Sequence, residues 1–179
     1  MKPIINLQSG KRINLINTKL DDITINDIAR GLANKGHYGG HTPEYFSIAE
    51  HSILVSYITK NLQGLLHDAS EAYIGDMLTP IKDLVPDFVQ IENNLMDKVM
   101  QKFNLQYDYD EVKYADTLIK GYEWIHFFKE DCPFIDRDEI SIAKLKYKLP
   151  PIEYFHPEQA RLAFIYRYYE IENGENKNL

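Results

Sequence analysis

Residues 5–16 alternate: INLQ, then Ser9-Gly10, then KRINLI place polar and apolar side chains on opposite faces, the pattern of a short β-hairpin. From Asp27 the period lengthens, with Ile28, Ala29 and Leu32 on one helical face and Gly36 as a natural stop. HYGGHTPEYF (37–46), rich in glycine and aromatics and broken by Pro43, reads as a loop. Ser47 and Glu50 then stand as N-cap and N3 of a capping box. They open a helix to about Lys60 that buries Ile48, Ile53, Val55 and Ile58. Another helix is expected over about 62–74, ending at Gly75. Pro86 can start a third, with Phe88, Ile91, Leu95, Val99 and Phe103 at helical spacing. Residues 110–129 repeat the pattern through Val112, Ala115, Leu118, Ile119, Tyr122 and Ile125. After a loop at 131–155, Pro157 opens a last helix ending near Asn173-Gly174, and GENKNL reads as a frayed tail. The pattern predicts an all-α protein: a single domain over 1–179 of about six helices, with the hairpin at its N-terminus.

Composition narrows the function classes. A chain of 179 residues, 44% hydrophobic and 26% charged, can bury a core of its own. A net charge of −7 argues against broad nucleic-acid binding, which needs a basic surface, but leaves room for a small anionic ligand. Cys132 is the lone cysteine, a spare thiol, so neither an internal disulfide nor a thiolate zinc cluster is expected. No apolar run suits a signal peptide or a membrane span, which predicts a soluble, cytoplasmic protein.

LLHDASEAYIGD (65–76) carries chemistry on an apolar background. Read as one helix, it sets Glu71 four residues after His67 and three after Asp68, so both pairs are surface neighbours. Asp76 follows just beyond the Gly75 stop. A buried carboxylate is costly unless paired or metal-bound. Three carboxylates with a histidine on one short segment make a metal or acid–base site the economical reading. Further ligands are offered by His51, four residues past its N-cap, and by Asp116, flanked by Tyr114, Ala115, Leu118 and Ile119. Two imidazoles and two carboxylates suit Zn, Mn, Co, Fe or Ni better than calcium. A lone helical histidine is usually a core or surface residue, and an isolated aspartate a solvated face or cap. The combination is what carries the reading.

The order His51, His67-Asp68, Asp116 resembles the HD-domain phosphohydrolases, an all-helical superfamily of metal-dependent phosphomonoesterases and phosphodiesterases. GHTPEYFSIAEHSILVS followed by LLHDASEAYIGDMLTPIK is similar, more closely, to a compact subgroup of bacterial 5′-deoxynucleotidases and small phage-encoded proteins, including dATP triphosphohydrolases. The similarity covers about residues 4 to 125, with a motif core over about 26–125 and its most specific part over 37–82. It implies His51, His67, Asp68 and Asp116 as ligands of a divalent transition metal, and Glu71 with Asp76 as the pair that positions the attacking water. The implied reaction is attack of a metal-associated water on phosphorus. The implied substrate is a deoxynucleotide: a monophosphate, or a triphosphate releasing tripolyphosphate. The implied setting is a bacterial cytoplasm, with a phage gene as one source.

One position departs from the subgroup. Where an arginine commonly stands four residues before the histidine of the GHT motif, this chain has His37, which can donate to phosphate but not in bidentate fashion. Lys82 and His41 are the other phosphate-binding candidates, each with a bland reading, a solvated helix lysine and loop filler. Tyr38, Tyr45 and Phe46 either wall a base or pack on the domain, and Trp124 belongs to the core or to a subunit contact. His126 reads as helix surface, and a homo-oligomer stays open. Two rivals stand beside the enzyme: a non-catalytic nucleotide-binding or regulatory module, and a structural metalloprotein with a closed site.

Overall fold

The computed structural model describes residues 3–106 and 108–175. The expected ribbon forms: β1 (Ile4–Asn6) pairs antiparallel with β2 (Arg12–Asn14), Ile5 opposite Ile13. A two-stranded ribbon is marginal alone. This one is held because Ile13 is fully buried in the core and the Ser9 hydroxyl donates to Asp27 at 3.0 Å.

The rest is helical: α1 (Ile25–Ala33), α2 (Ile48–Thr59), α3 (Leu62–Leu65), α4 (Glu71–Ile74), α5 (Thr79–Lys82), α6 (Pro86–Lys102), α7 (Tyr109–Phe128), α8 (Arg137–Tyr147) and α9 (Pro157–Glu175). The protein is all-α with an N-terminal ribbon. Six of these helices are long, but they are not quite the six that the sequence pattern suggests. The expected helix over 62–74 is broken into α3 and α4, with turns at 66–70 between them. Its cause is local: the His67 ring Nδ1 donates to the Gly64 carbonyl at 2.8 Å, the acceptor that a continuous helix would offer to the Asp68 N–H. In exchange α8 appears inside the segment expected to be loop. It is capped by Asp136, whose side chain accepts from Asp138 N–H, but buries only Ile140 and Ala143 and leaves Ile142 and Leu145 exposed, so its periodicity is faint. Gly174 is still within α9, and residues 176–179 of the expected tail lie outside the described residues.

Two apolar clusters share α2. Its Ile48 and Ala49 join α1, α3 and α9 in one, while Leu54, Val55 and Ile58 join α7 and α8 in the other. Any polar residue in the middle of α2 is therefore internal. The start of α2 is fixed by the capping box, with Ser47 accepting from Glu50 N–H and Glu50 accepting from Ser47 N–H at 2.8 Å. Gly31 lets α1 touch α4, since a Cβ there would collide with the Ala72 backbone. That close approach seats Glu71. Among the described residues no helix is long and apolar enough to cross a membrane.

Candidate metal centre

His51 sits on α2 with no exposed surface. Its Nδ1 donates to Glu123 Oε1 at 2.9 Å, and its Nε2 faces Asp116 Oδ1 at 3.0 Å and Asp68 Oδ2 at 3.8 Å. The break between α3 and α4 brings His67 and Asp68 to the same place. His67 Nε2 lies 3.1 Å from Asp68 Oδ2 and 3.8 Å from Asp116 Oδ1. Both histidines thus present Nε2 to the same two carboxylates, from α2, the 66–70 turn and α7.

The donor set fits a cation. The Gly64 carbonyl can only accept, so His67 carries a hydrogen on Nδ1, and its buried Nε2, although 3.1 Å from Asp68 Oδ2, makes no well-directed hydrogen bond. A buried polar atom left in that way calls for an explanation. Ligand atoms about 2.1 Å from a common ion and at right angles stand about 3 Å apart, close to the shorter separations here. The carboxylates meanwhile hold protons on the imidazoles. Burial pushes both rings down, but Glu123 and Asp116 outweigh it for His51, raising it to about 9, and Asp68 and Asp116 raise His67 to about 10. The same pairing, against the upward push of burial, holds Asp68 and Asp116 below the usual carboxylate range. A cation binding there would displace those protons. His51, His67 and Asp68 offer three ligand atoms within 4.8 Å of one another, and so does a second, wholly buried group, His37, His51 and Glu123.

The centre opens on a cleft of about 450 Å³ lined by His67, Asp68, Glu71, Lys82 and Asp116, with Met96, Met100 and Val112 on its apolar side. Glu71 is 5% exposed, and its Oε2 has no hydrogen bond. Burial, then the Asp68 and Asp76 charges, push its carboxyl well above the usual range. Lys82 reaches Glu71 Oε1 at 3.4 Å and Glu92 Oε1 at 2.8 Å, so this expected phosphate donor is already engaged.

The remaining sequence candidates stand elsewhere. His37 is 5% exposed, stacked on the His51 ring with centroids 4.2 Å apart. Its nitrogens face Asp76 Oδ2 at 3.4 Å and Glu123 Oε2 at 3.7 Å, behind His51 rather than in the cleft wall. Burial, then His51, push its pKa down, against the opposing pull of Asp76 and Glu123. Asp76 lies against His37 and also stays out of the cleft lining, and His41 is exposed on its loop. Tyr38 and Phe46 pack on Phe127, and Trp124 on Phe128 and Phe134.

Two residues at the centre escape the sequence reading. Glu123, fully buried, also accepts from the Tyr38 hydroxyl at 2.9 Å, and Lys120 donates to Asp116 Oδ2 at 2.7 Å. Their signal is helical arithmetic: on α7 they follow Asp116 by seven and four residues, on the same face. A larger, mostly apolar groove of about 500 Å³ lies between α2, residues 150–155 and α9, away from this chemistry.

Fold and site together define an all-helical protein whose buried histidine and carboxylate groups could hold a metal ion. No protein-family model matches the chain. It is 35% identical over 119 residues to the uncharacterized protein YfdR of Escherichia coli, covering 64% of this chain and 67% of that protein. It is 33% identical over 186 aligned positions to an uncharacterized protein of Rhodobacter capsulatus, covering 91% of this chain and 92% of that protein. The chain belongs to the family of these two proteins.

Proposed function

We propose that this protein is an HD-type phosphohydrolase acting on deoxynucleotides, with a divalent transition metal held by His51, His67, Asp68 and Asp116. The observation that carries the reading is the convergence of two Nε2 atoms on two carboxylates, 3.0–3.8 Å apart, at the floor of a cleft. A bound divalent ion supplies Lewis acidity toward phosphate and lowers the pKa of water. The chain does the rest. Glu71, raised in basicity by burial and steadied by Lys82, takes the proton of the attacking water, which is typically worth about 10²- to 10⁴-fold. Asp76, set against His37 outside the cleft lining, assists through its charge, which helps to raise Glu71. Met96, Met100 and Val112 give the nucleoside an apolar wall.

Between the two phosphate classes, the cleft favours the monophosphate. Lys82 in the lining and Lys120 beside Asp116 are both paired with carboxylates, which leaves Lys113 as the lining lysine outside any ion pair among the described residues, too little for a triphosphate chain. The rival binding module needs the ligands but not a buried, half-satisfied Glu71. A panel of deoxynucleoside mono- and triphosphates with Mn, Co or Zn tests the reading. Release of phosphate from monophosphates is expected. Tripolyphosphate release would reverse the preference, and nucleotide binding without turnover would move the protein to the regulatory module.

A further inference from the structure

Glu123 is the least exposed carboxylate among the described residues. Burying an anion is expensive, and an isosteric neutral side chain would cost the fold less. Its bonds are divided between two jobs: Oε1 accepts from His51 Nδ1 at 2.9 Å, and Oε2 accepts from the Tyr38 hydroxyl at 2.9 Å. On the far side of the same imidazole, Nε2 faces Asp116 and Asp68. A carboxylate only accepts, so a hydrogen stays on Nδ1, and it is the proton on Nε2 that a cation would displace, which directs that nitrogen's lone pair toward the cation site. His67 differs, because its Nδ1 is held by a neutral carbonyl. An anion behind the ring does more: it makes the opposite nitrogen a stronger donor.

We infer that Glu123 is a positioning residue for the metal centre, fixing the tautomer and orientation of His51 and strengthening its Nε2 as a ligand. The inference rests on the proposed metal site and adds a residue to its support. It also accounts for Tyr38, which keeps a left-handed φ of 55° while its hydroxyl reaches this buried acid.

Zinc affinity, measured by competition with a chromogenic chelator on the full chain, tests this without any activity assay. Wild type should bind one zinc, Glu123→Gln should bind it about 10- to 100-fold more weakly, and Tyr38→Phe should stay within about threefold of wild type because it leaves the His51 contact intact. Equal affinity of Glu123→Gln and wild type overturns the inference. So does a loss in Tyr38→Phe as large as that in Glu123→Gln, since loop packing would then carry the effect. Two zinc ions per wild-type chain, one of them lost in Glu123→Gln, would make Glu123 a ligand through the buried His37, His51 and Glu123 group and overturn it equally. Should Glu123→Gln fail to fold, Glu123→Asp, which withdraws the charge from Nδ1 by one methylene, takes its place: weaker zinc binding supports the inference, and unchanged affinity overturns it. A wild type that binds no zinc, manganese or cobalt sinks the metal reading itself.

Discussion

Of the apolar groove and the cleft at the histidines, the larger is the less chemical. In the apolar groove Glu50 and Arg167 are spent. Glu50 accepts from the N–H groups of Ser47 and Phe155, and Arg167 is bonded to Ser56 and Glu170. In the smaller cleft polar atoms remain unspent: Glu71 Oε2 is buried with no hydrogen bond, and His67 Nε2 has the Asp68 carboxylate 3.1 Å away but no well-directed hydrogen bond to it. The groove's polar residues serve α2 and α9, whereas the cleft's converge on one point from three segments. Unspent hydrogen-bonding capacity, rather than volume, distinguishes the site.

That contrast can be broken in three places. The largest effect is expected at Glu71, where Glu71→Gln keeps shape and loses the proton acceptor. The variant's kcat on its best deoxynucleotide should fall by about 10² or more with KM little changed. A full-rate variant would show that the water is activated elsewhere. Next comes the groove's own polar framework: Ser47→Ala removes the α2 cap, which should cost about 1 kcal/mol in denaturant unfolding. Metal content should be unaffected, and a loss of metal at unchanged stability would erase the distinction between the two regions. Smallest is Tyr166→Ser on the groove rim, where the side chain is 72% exposed. Its stability should stay within about 0.5 kcal/mol of wild type and its turnover should match. A large loss of turnover would mean that the groove, not the cleft, takes the substrate.

Much of this arrangement is legible in the residues. Periodicity places α1, α2, α6, α7 and α9, because each has an apolar stripe against a core. It misreads 62–74 because the interruption depends on a side chain, His67, competing for a backbone carbonyl, which no hydropathy pattern records. It passes over α8 because a helix that buries two residues has almost no stripe. His51, His67, Asp68 and Asp116 meet as their residue types suggest, since polar side chains on buried faces have few alternatives to one another. His37 illustrates the limit: its motif position suggests a substrate contact, but its depth depends on how the 37–46 loop lies over α2 and α7, a tertiary fact. Glu123 is missed for the converse reason, an acid in an aromatic helix that looks like surface until its partners are known.

The central claim is that one cation site is built by His51, His67, Asp68 and Asp116 and that Glu71 serves it without belonging to it. Equilibrium dialysis against zinc followed by elemental analysis, on wild type, Asp68→Ala and Glu71→Gln side by side, tests this most directly. The account predicts one zinc per chain for wild type and Glu71→Gln, and almost none for Asp68→Ala. Full zinc in Asp68→Ala, or its loss from Glu71→Gln, would contradict the account.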